Sequence, residues 1–281
     1  MILRLAKSAL VLAAVGALLL TLLVSTTPTL AQDQPPEPPE RIPDVEVAWD
    51  GTYRRIRVPI LMYHYVSELP EDADSYRTDL TVSPSVFREH MEYLFYQGYT
   101  PISLYQLNEA LMNGMQLPAK PVVLTFDDAY TDHYTHVFPV LREFGFSGTF
   151  FVITGWVDEG NPAHMTWEQI SEMANAGMSM ESHSKTHADL RNRSYDFLIY
   201  EMLGSMQSLE AYTGRTSHMF SYPIGYYDSM TISVLRTLPV WRAVTTQGGS
   251  QHTTDNHYEL PRLRVSGDTG VPGLAYLLEN G

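Results

Sequence analysis

The chain contains no cysteine. Disulfides, thiolate metal ligands and lipid attachment through an N-terminal cysteine are therefore excluded, and the hydrophobic core alone must supply stability. Basic residues are also scarce: 18 Lys and Arg stand against 32 Asp and Glu in 281 residues, a formal charge of -14. Such a chain should repel nucleic acid and other polyanions. A neutral polymer, or one that becomes cationic as it is processed, suits it better, although the charge would equally keep an exported protein soluble. No internal repeat is visible.

The one long apolar run lies at the start. Arg4 and Lys7 precede the stretch SALVLAAVGALLLTLLV (residues 8–24), and Thr29-Leu30-Ala31 offers small residues for a peptidase. This is the layout of a secretory signal, with cleavage expected after Ala31. Removing it would leave 16 basic against 32 acidic groups. The alternative is retention as a membrane tether, because the uncharged stretch from Ser8 to Gln32 is long enough to span a bilayer. Export without disulfides fits a secreted or cell-envelope protein of bacterial type. Residues 32–50 open with QDQPPEPPERIPD and read as an extended Pro/Glu-rich spacer. Roughly 230 residues remain, from 51 to 281, which suits one α/β barrel-sized domain.

Within that domain, VPILMYH (residues 58–64) reads as a buried strand. A helix should follow, capped by Ser83, with Pro84 in its first turn, Phe87, Met91 and Leu94 on one face, and Gly98 at its end. Leu104, Leu107 and Leu111 mark a second helix closed by Gly114. Strands and helices then alternate: 121–126 and 137–144, 148–153 and 166–177, 178–183 and 195–212, 218–223 and 228–238, with last strands at 241–246 and 258–265. Repeated strand then helix implies a parallel sheet covered by helices. The pattern alone leaves barrel and open sheet both possible, and in either one chemistry gathers at the C-terminal ends of the strands.

Those ends are polar. They carry His64, the pair Asp127 and Asp128, His183, and the turn at residues 222–225. Taken singly each has an ordinary explanation, since a lone histidine is often a hydrogen-bonded structural residue and an Asp pair often caps a helix. Two adjacent carboxylates closing an apolar strand nevertheless need a use, because they repel and are costly to bury unpaired. In HSKTH, a fully extended chain would hold His183 and His187 about 13 Å apart at about 3.3 Å per residue. The chain must therefore coil after His183 if both are to reach one ion. Two histidines want a carboxylate to complete a site, and either Asp127 or Asp128 can supply it. The other is then free as a base, its charge tolerated beside a cation. Metal-activated water attacking a carbonyl is the chemistry this set suits, with an oxyanion stabilised by the metal and by a backbone N–H of the turn SYPIG, residues 221–225.

In combination, PILMYHYV, TFDDAY, HSKTH, SYPIG and LPRLRV, in that order between Val58 and Val265, resemble the polysaccharide deacetylases with a NodB homology domain. The specific element is Asp-Asp followed 56 residues later by His-Ser-x-x-His. The resemblance implies a distorted (β/α)7 barrel, a divalent metal, usually Zn2+ though Co2+ or Ni2+ would serve, and hydrolysis of acetamide groups on a sugar polymer. It assigns Asp127 as catalytic base, Asp128, His183 and His187 as metal ligands, and the backbone N–H of Ile224 to the oxyanion hole. Two departures stand out. Many members carry Arg where this chain has Ser221, and many carry Leu-x-His where this chain has Leu263-Arg264-Val265. These departures point to the subgroup opening with a Met-Tyr-His strand end, which includes deacetylases of poly-N-acetylglucosamine. His64 is then the candidate to protonate the leaving amine or position the acetamide, ahead of His252 and His257, which fall in a polar loop. Arg262 is the candidate to replace the missing Arg and pair with Asp127.

Sugar contacts are expected from Tyr130, Tyr222, Pro223, Tyr226, Tyr227 and Trp241, while Trp156 and Trp167 read as packing residues. The partner would be an N-acetylated glycan; no protein partner can be inferred. An O-acetyl esterase of xylan type stays open and only substrate assays separate it; a non-catalytic glycan-binding relative is opposed by Asp127, since binding needs no free base, and a non-haem Fe(II) oxygenase, which also uses two His and one carboxylate, is disfavoured by the strand–helix alternation and the extra Asp.

Overall fold

The computed structural model describes residues 45–281. The expected leader (1–31) and most of the expected spacer lie outside the described residues. Among the described residues no helix is long and apolar enough to cross a membrane. Of the spacer, residues 45–50 lie against the domain: the Asp50 N–H donates to Met112 O, and Glu46 is half-buried near Asn108 and Arg242.

Seven strands form the frame: β1 (Ile60–Tyr63), β2 (Pro121–Asp127), β3 (Thr149–Val152), β4 (Ser179–Ser182), β5 (Met219–Ser221), β6 (Arg242–Gly248) and β7 (Leu260–Arg264). Each pairs in parallel with its successor, and β7 pairs with β1, so the sheet closes into a barrel. This is the distorted (β/α)7 barrel. The distortion is local: β4 and β5 share one residue pair, Ser182 with Phe220, and the β6–β7 register shifts between Val244 and Gly248. A two-residue strand, Thr100–Pro101, pairs with the start of β2.

The main helices are α1 (Pro84–Tyr96), α2 (Leu104–Asn113), α3 (Phe138–Phe144), α4 (Trp167–Asn175), α5 (Tyr195–Thr213), α6 (Ser229–Leu235) and α7 (Val271–Asn280), with short additional helices at Ser75–Leu80 and Thr154–Asp158 and a π-helical turn at His133–Val137. Their ends follow local chemistry. Ser83 accepts from Val86 N ahead of Pro84, and Thr166 with Gln169 forms a reciprocal capping box. Gly114 ends α2 at φ 78, a conformation that favours glycine. The helix α7 is an addition to the elements read from sequence.

Alternation along β2 positions the site. Leu124 and Phe126 face outward into the cluster that holds Phe87, Met91 and Leu94 of α1, Leu141 of α3 and Met173 of α4. Val123 lies instead with Ile60, Phe151, Val244 and Leu260, together with Leu104, Leu107 and Leu111 of α2, which covers the barrel's base. Two residues further along the inward face come Thr125 and then Asp127, both buried. A period of two thus carries an apolar base into a polar mouth. Burying Phe126 alone contributes about 2–3 kcal/mol, and it pulls Asp127 inward with it.

Candidate active site

Strand ends converge at the mouth. Past β2 the chain turns through two left-handed residues, Asp128 (φ 77) and Ala129 (φ 56); past β4, Ser184 (φ 65) and His187 (φ 59) do the same; past β5, Ile224 takes φ 60. Only one other non-glycine residue among those described has positive φ, Asn192. Such conformations cost about 1–3 kcal/mol each and persist where surroundings fix them, typically at functional sites. The coil after His183 that one metal would demand is therefore present. It is held from α5 by buried Glu201, which accepts from Lys185 N (3.0 Å), Thr186 N (2.8 Å) and Thr186 Oγ1 (2.6 Å).

Asp128, His183 and His187 offer donor atoms that lie within 4.8 Å of one another. Nε2 of His183 and Nε2 of His187 stand 3.3 Å and 3.4 Å from the same oxygen, Asp128 Oδ1. That oxygen is buried and has no hydrogen-bond partner. Two edges of about 3.3–3.4 Å are those of a tetrahedron with bonds of about 2.0–2.1 Å. His183 Nδ1 donates to Ser221 O at 2.8 Å, which leaves the Nε2 lone pair facing the cluster. The residues present fit a divalent cation, and no such cation is needed to explain any other contact of theirs.

Asp127 stands apart from that trio. Arg262 forks onto it, Nη1 to Oδ1 at 2.8 Å and Nη2 to Oδ2 at 2.7 Å, and also donates to Thr245 O, Thr125 Oγ1 and Ser221 Oγ. The contact expected of Arg262 is present, and the guanidinium is fully buried. Burial alone would push the Asp127 carboxyl up, but the Arg262 charge and its hydrogen bonds outweigh this and hold it at about 2. Burial likewise acts on Asp128, and the close approach of His183, with Nε2 3.3 Å from Oδ1, overcomes it, so that carboxyl sits well below its usual range. For His64 burial prevails over the Asp127 and Asp128 charges, lowering its pKa and favouring the neutral ring. Its Nδ1 is buried without a protein partner.

Several expected sugar contacts are placed elsewhere. Trp241 precedes the first residue of β6, at the end opposite the mouth, where it stacks on His218 (4.1 Å between centroids) and meets Tyr105 edge-on. It is a packing residue. Tyr222 is buried and donates from Oη to Tyr258 O, so its ring belongs to the core. Pro223 is buried in the 3₁₀ turn that aims Ile224. Tyr130 commits its hydroxyl to Asp128 Oδ2 at 2.8 Å and packs its ring against Tyr65 and His164. Tyr226 is exposed under the Arg191 guanidinium, and Tyr227 stacks on Tyr222. Trp156, expected in the packing, lies 5.7 Å from the His187 ring. His252 is no loop residue: it is fully buried in the strand Gln251–Thr253, which pairs with Arg55–Arg57. Sequence reading missed Glu201, Ser184, whose hydroxyl accepts from His187 N at 3.0 Å, and His164.

A barrel with this mouth defines a class. A family model described as polysaccharide deacetylase matches residues 114–242. The Bacillus subtilis (strain 168) protein YxkH, assigned by name to the polysaccharide deacetylases, is 32% identical over 229 residues, 82% of this chain and 78% of that protein. The chain belongs to the polysaccharide deacetylase family. The poly-beta-1,6-N-acetyl-D-glucosamine N-deacetylase of Escherichia coli (strain K12) is 26% identical over 246 residues, which cover 73% of this chain and 36% of that protein. Among solved structures, the Streptococcus pyogenes deacetylase PplD in complex with acetate superposes with a TM-score of 0.75 at 29% identity, over 80% of this chain and 100% of that one.

Proposed function

We propose that the chain is an exported, metal-dependent hydrolase that removes N-acetyl groups from an N-acetylglucosamine polymer. The observation that carries this reading is the division of the two carboxylates: Asp128 converges with two histidines, while Asp127 is kept ionised beside them by Arg262. The relatives' names favour an amide over an ester, and poly-β-1,6-N-acetylglucosamine over other glycans. A glycan-binding relative without activity would have no use for a second, clamped carboxylate.

Asp128, His183 and His187 would hold the ion, and the tetrahedral spacing favours zinc. Such an ion supplies Lewis acidity at the acetyl carbonyl and lowers the pKa of water beside it. Asp127 accepts the proton of the attacking water and returns it to the amine nitrogen as the C–N bond breaks, and Arg262 fixes the orientation of its oxygens so that little reorganisation accompanies the transfer. Ile224, at the tip of its left-handed turn, directs its backbone N–H at the developing oxyanion. His64 positions the acetamide through its unspent Nδ1; burial disfavours its charged form and hence the alternative role of proton donor. Tyr226, exposed at the rim, is available to the glycan. Residues 1–31 act as leader or tether, 32–50 as spacer, and 51–281 as the catalytic domain.

The test is acetate release by the purified chain from β-1,4- and β-1,6-linked N-acetylglucosamine oligomers, with zinc, with chelator, and with Asp127→Asn. Release that requires both metal and Asp127 is expected, greater on the β-1,6 linkage. Release only from O-acetylated xylan would move the reading to an esterase, and no release from a metal-loaded chain on either would leave a binding role.

A further inference from the structure

Tyr130 stands where a sugar-stacking aromatic would be expected, yet its contacts run to a candidate metal ligand. Its Oη donates to Asp128 Oδ2 at 2.8 Å. The other oxygen, Oδ1, is the one approached by both histidines. The carboxylate is thereby divided, one oxygen spent on a hydroxyl and one turned to the imidazoles. Beside it, His164 Nδ1 donates to the main-chain O of Asp128 at 2.9 Å. Residue 128 is held by its side chain and by its backbone.

The hold is braced from behind. Successive positive φ values at Asp128 and Ala129 fold the chain back, so that a side chain two residues on reaches Asp128. Ala129 O accepts from Met165 N at 2.9 Å and Thr131 N donates to Ala163 O at 2.9 Å, which brings His164 alongside. The Tyr130 ring packs on Tyr65, 3.7 Å between centroids, and on His164 at 5.1 Å. The Arg77 guanidinium lies 3.2 Å over Tyr65 and donates to Ser67 Oγ and Thr81 Oγ1. A column of four side chains therefore runs from the short helix Ser75–Leu80 to Asp128.

We propose that Tyr130 and His164 are positioning residues that preset Asp128 to offer a single oxygen to the metal. The proposal rests on the reading of Asp128, His183 and His187 as the ligand set. An unrestrained carboxylate can rotate to present both oxygens and take up a coordination position that catalysis needs open. A hydroxyl fixed on Oδ2 prevents this, and partners of metal ligands commonly govern affinity by about 10–100-fold.

The test uses the full chain, stripped by chelator and titrated with Zn2+ against a chromophoric competitor, with the visible spectrum of the Co2+ form as a second readout. Tyr130→Phe keeps the ring column and removes only the hydroxyl. Its Zn2+ dissociation constant should rise about 10–100-fold, and its Co2+ absorption should weaken as Asp128 turns to two-oxygen ligation. His164→Ala should act in the same direction, and His164→Asn, whose side-chain N–H can replace Nδ1, should recover most of the affinity. Thermal unfolding of the metal-free variants separates these effects from misfolding. Unchanged Zn2+ affinity and an unchanged Co2+ spectrum in Tyr130→Phe would overturn the proposal, as would equal losses in His164→Ala and His164→Asn. A wild-type chain that takes up no divalent ion would overturn the ligand set itself, an outcome the wild-type titration tells apart.

Discussion

Replacing Arg262 by methionine should strand a buried carboxylate. The guanidinium is fully buried and spends its donors on both oxygens of Asp127, on Thr245 O, and on the hydroxyls of Thr125 and Ser221. Methionine fills much of that volume and donates nothing. Removing one partner of a buried pair typically costs about 3–5 kcal/mol, because the other charge stays uncompensated. For a domain of this size about 1 kcal/mol moves Tm by roughly 2–4 °C, so the metal-free variant should melt roughly 6–20 °C below the wild type.

The sign reverses with pH. In the wild type Asp127 titrates at about 2, below an ordinary carboxyl, so the stability it contributes is complete above about pH 4 and is lost as pH falls towards 2. Without Arg262, burial alone governs the group and pushes its pKa up; the ionised form then destabilises the variant at neutral pH, and protonation relieves it in acid. The two chains should converge as pH falls. Arg262→Met with Asp127→Asn removes both charges and should recover most of the lost stability while remaining inactive. Calorimetry of the four chains in chelator between pH 4 and 8 should show a coupling of about 2 kcal/mol or more at neutral pH. A single variant melting within about 2 °C of wild type, or losses that simply add, would refute the reading of Arg262 as the group that keeps Asp127 ionised.

The buried ring of His252 donates from Nε2 to Val58 O at 2.8 Å, and burial holds its pKa at about 4. The unfolded chain takes up that proton first as pH falls below about 6.5, so about 2 kcal/mol should be lost by pH 5; His252→Gln should flatten the urea midpoint between pH 7 and 5. Gly225 takes φ 79, and a Cβ there would stand 2.0 Å from Thr246 Oγ1. Gly225→Ala should displace the Ile224 turn and lower kcat about tenfold or more, equivalent to one missing oxyanion donor or less, with Zn2+ affinity retained. Trp241→Ala should cost about 3–5 kcal/mol in chemical unfolding with KM for long oligomers unchanged; a raised KM at unchanged stability would return Trp241 to the substrate.

The parallel sheet was legible because strands covered on both faces read as apolar runs, and runs such as VVLTF end in polar residues where they reach the mouth; its closure into a barrel came from the family resemblance and not from the pattern. The coil after His183 followed from reach alone. The assignment of Trp241 to the glycan failed for a reason the same topology contains: Trp241 precedes Arg242, the first residue of β6, and so lies at the base, whereas Asp127 closes β2 and lies at the mouth. Glu201 could not be found this way, since a carboxylate inside a helix of ordinary composition reads as solvated until the loop at Lys185 and Thr186 is folded against it. His164 reaches Asp128 only through backbone bonds between residues 129–131 and 163–165, which leave no periodic trace in the sequence.

Ser221 and Arg262 show how the buried carboxylate of Asp127 is paired from a strand other than the one that ends beside it. Where many members of the family carry Arg at the end of the fifth barrel strand, Ser221 is small, and its hydroxyl lies 3.1 Å from Nη2 of Arg262 and 3.4 Å from Asp127 Oδ2. An arginine side chain at 221 would have to occupy the space that this guanidinium fills. β7 borders β1, and β1 borders β2, so a long inward side chain from β7 crosses a single strand to reach Asp127. The buried carboxylate requires one fixed cation with matched donors, and the closed barrel offers it from either direction. In this chain position 262 holds the charge that position 221 lacks, a relation that is invisible along the chain and direct across the mouth.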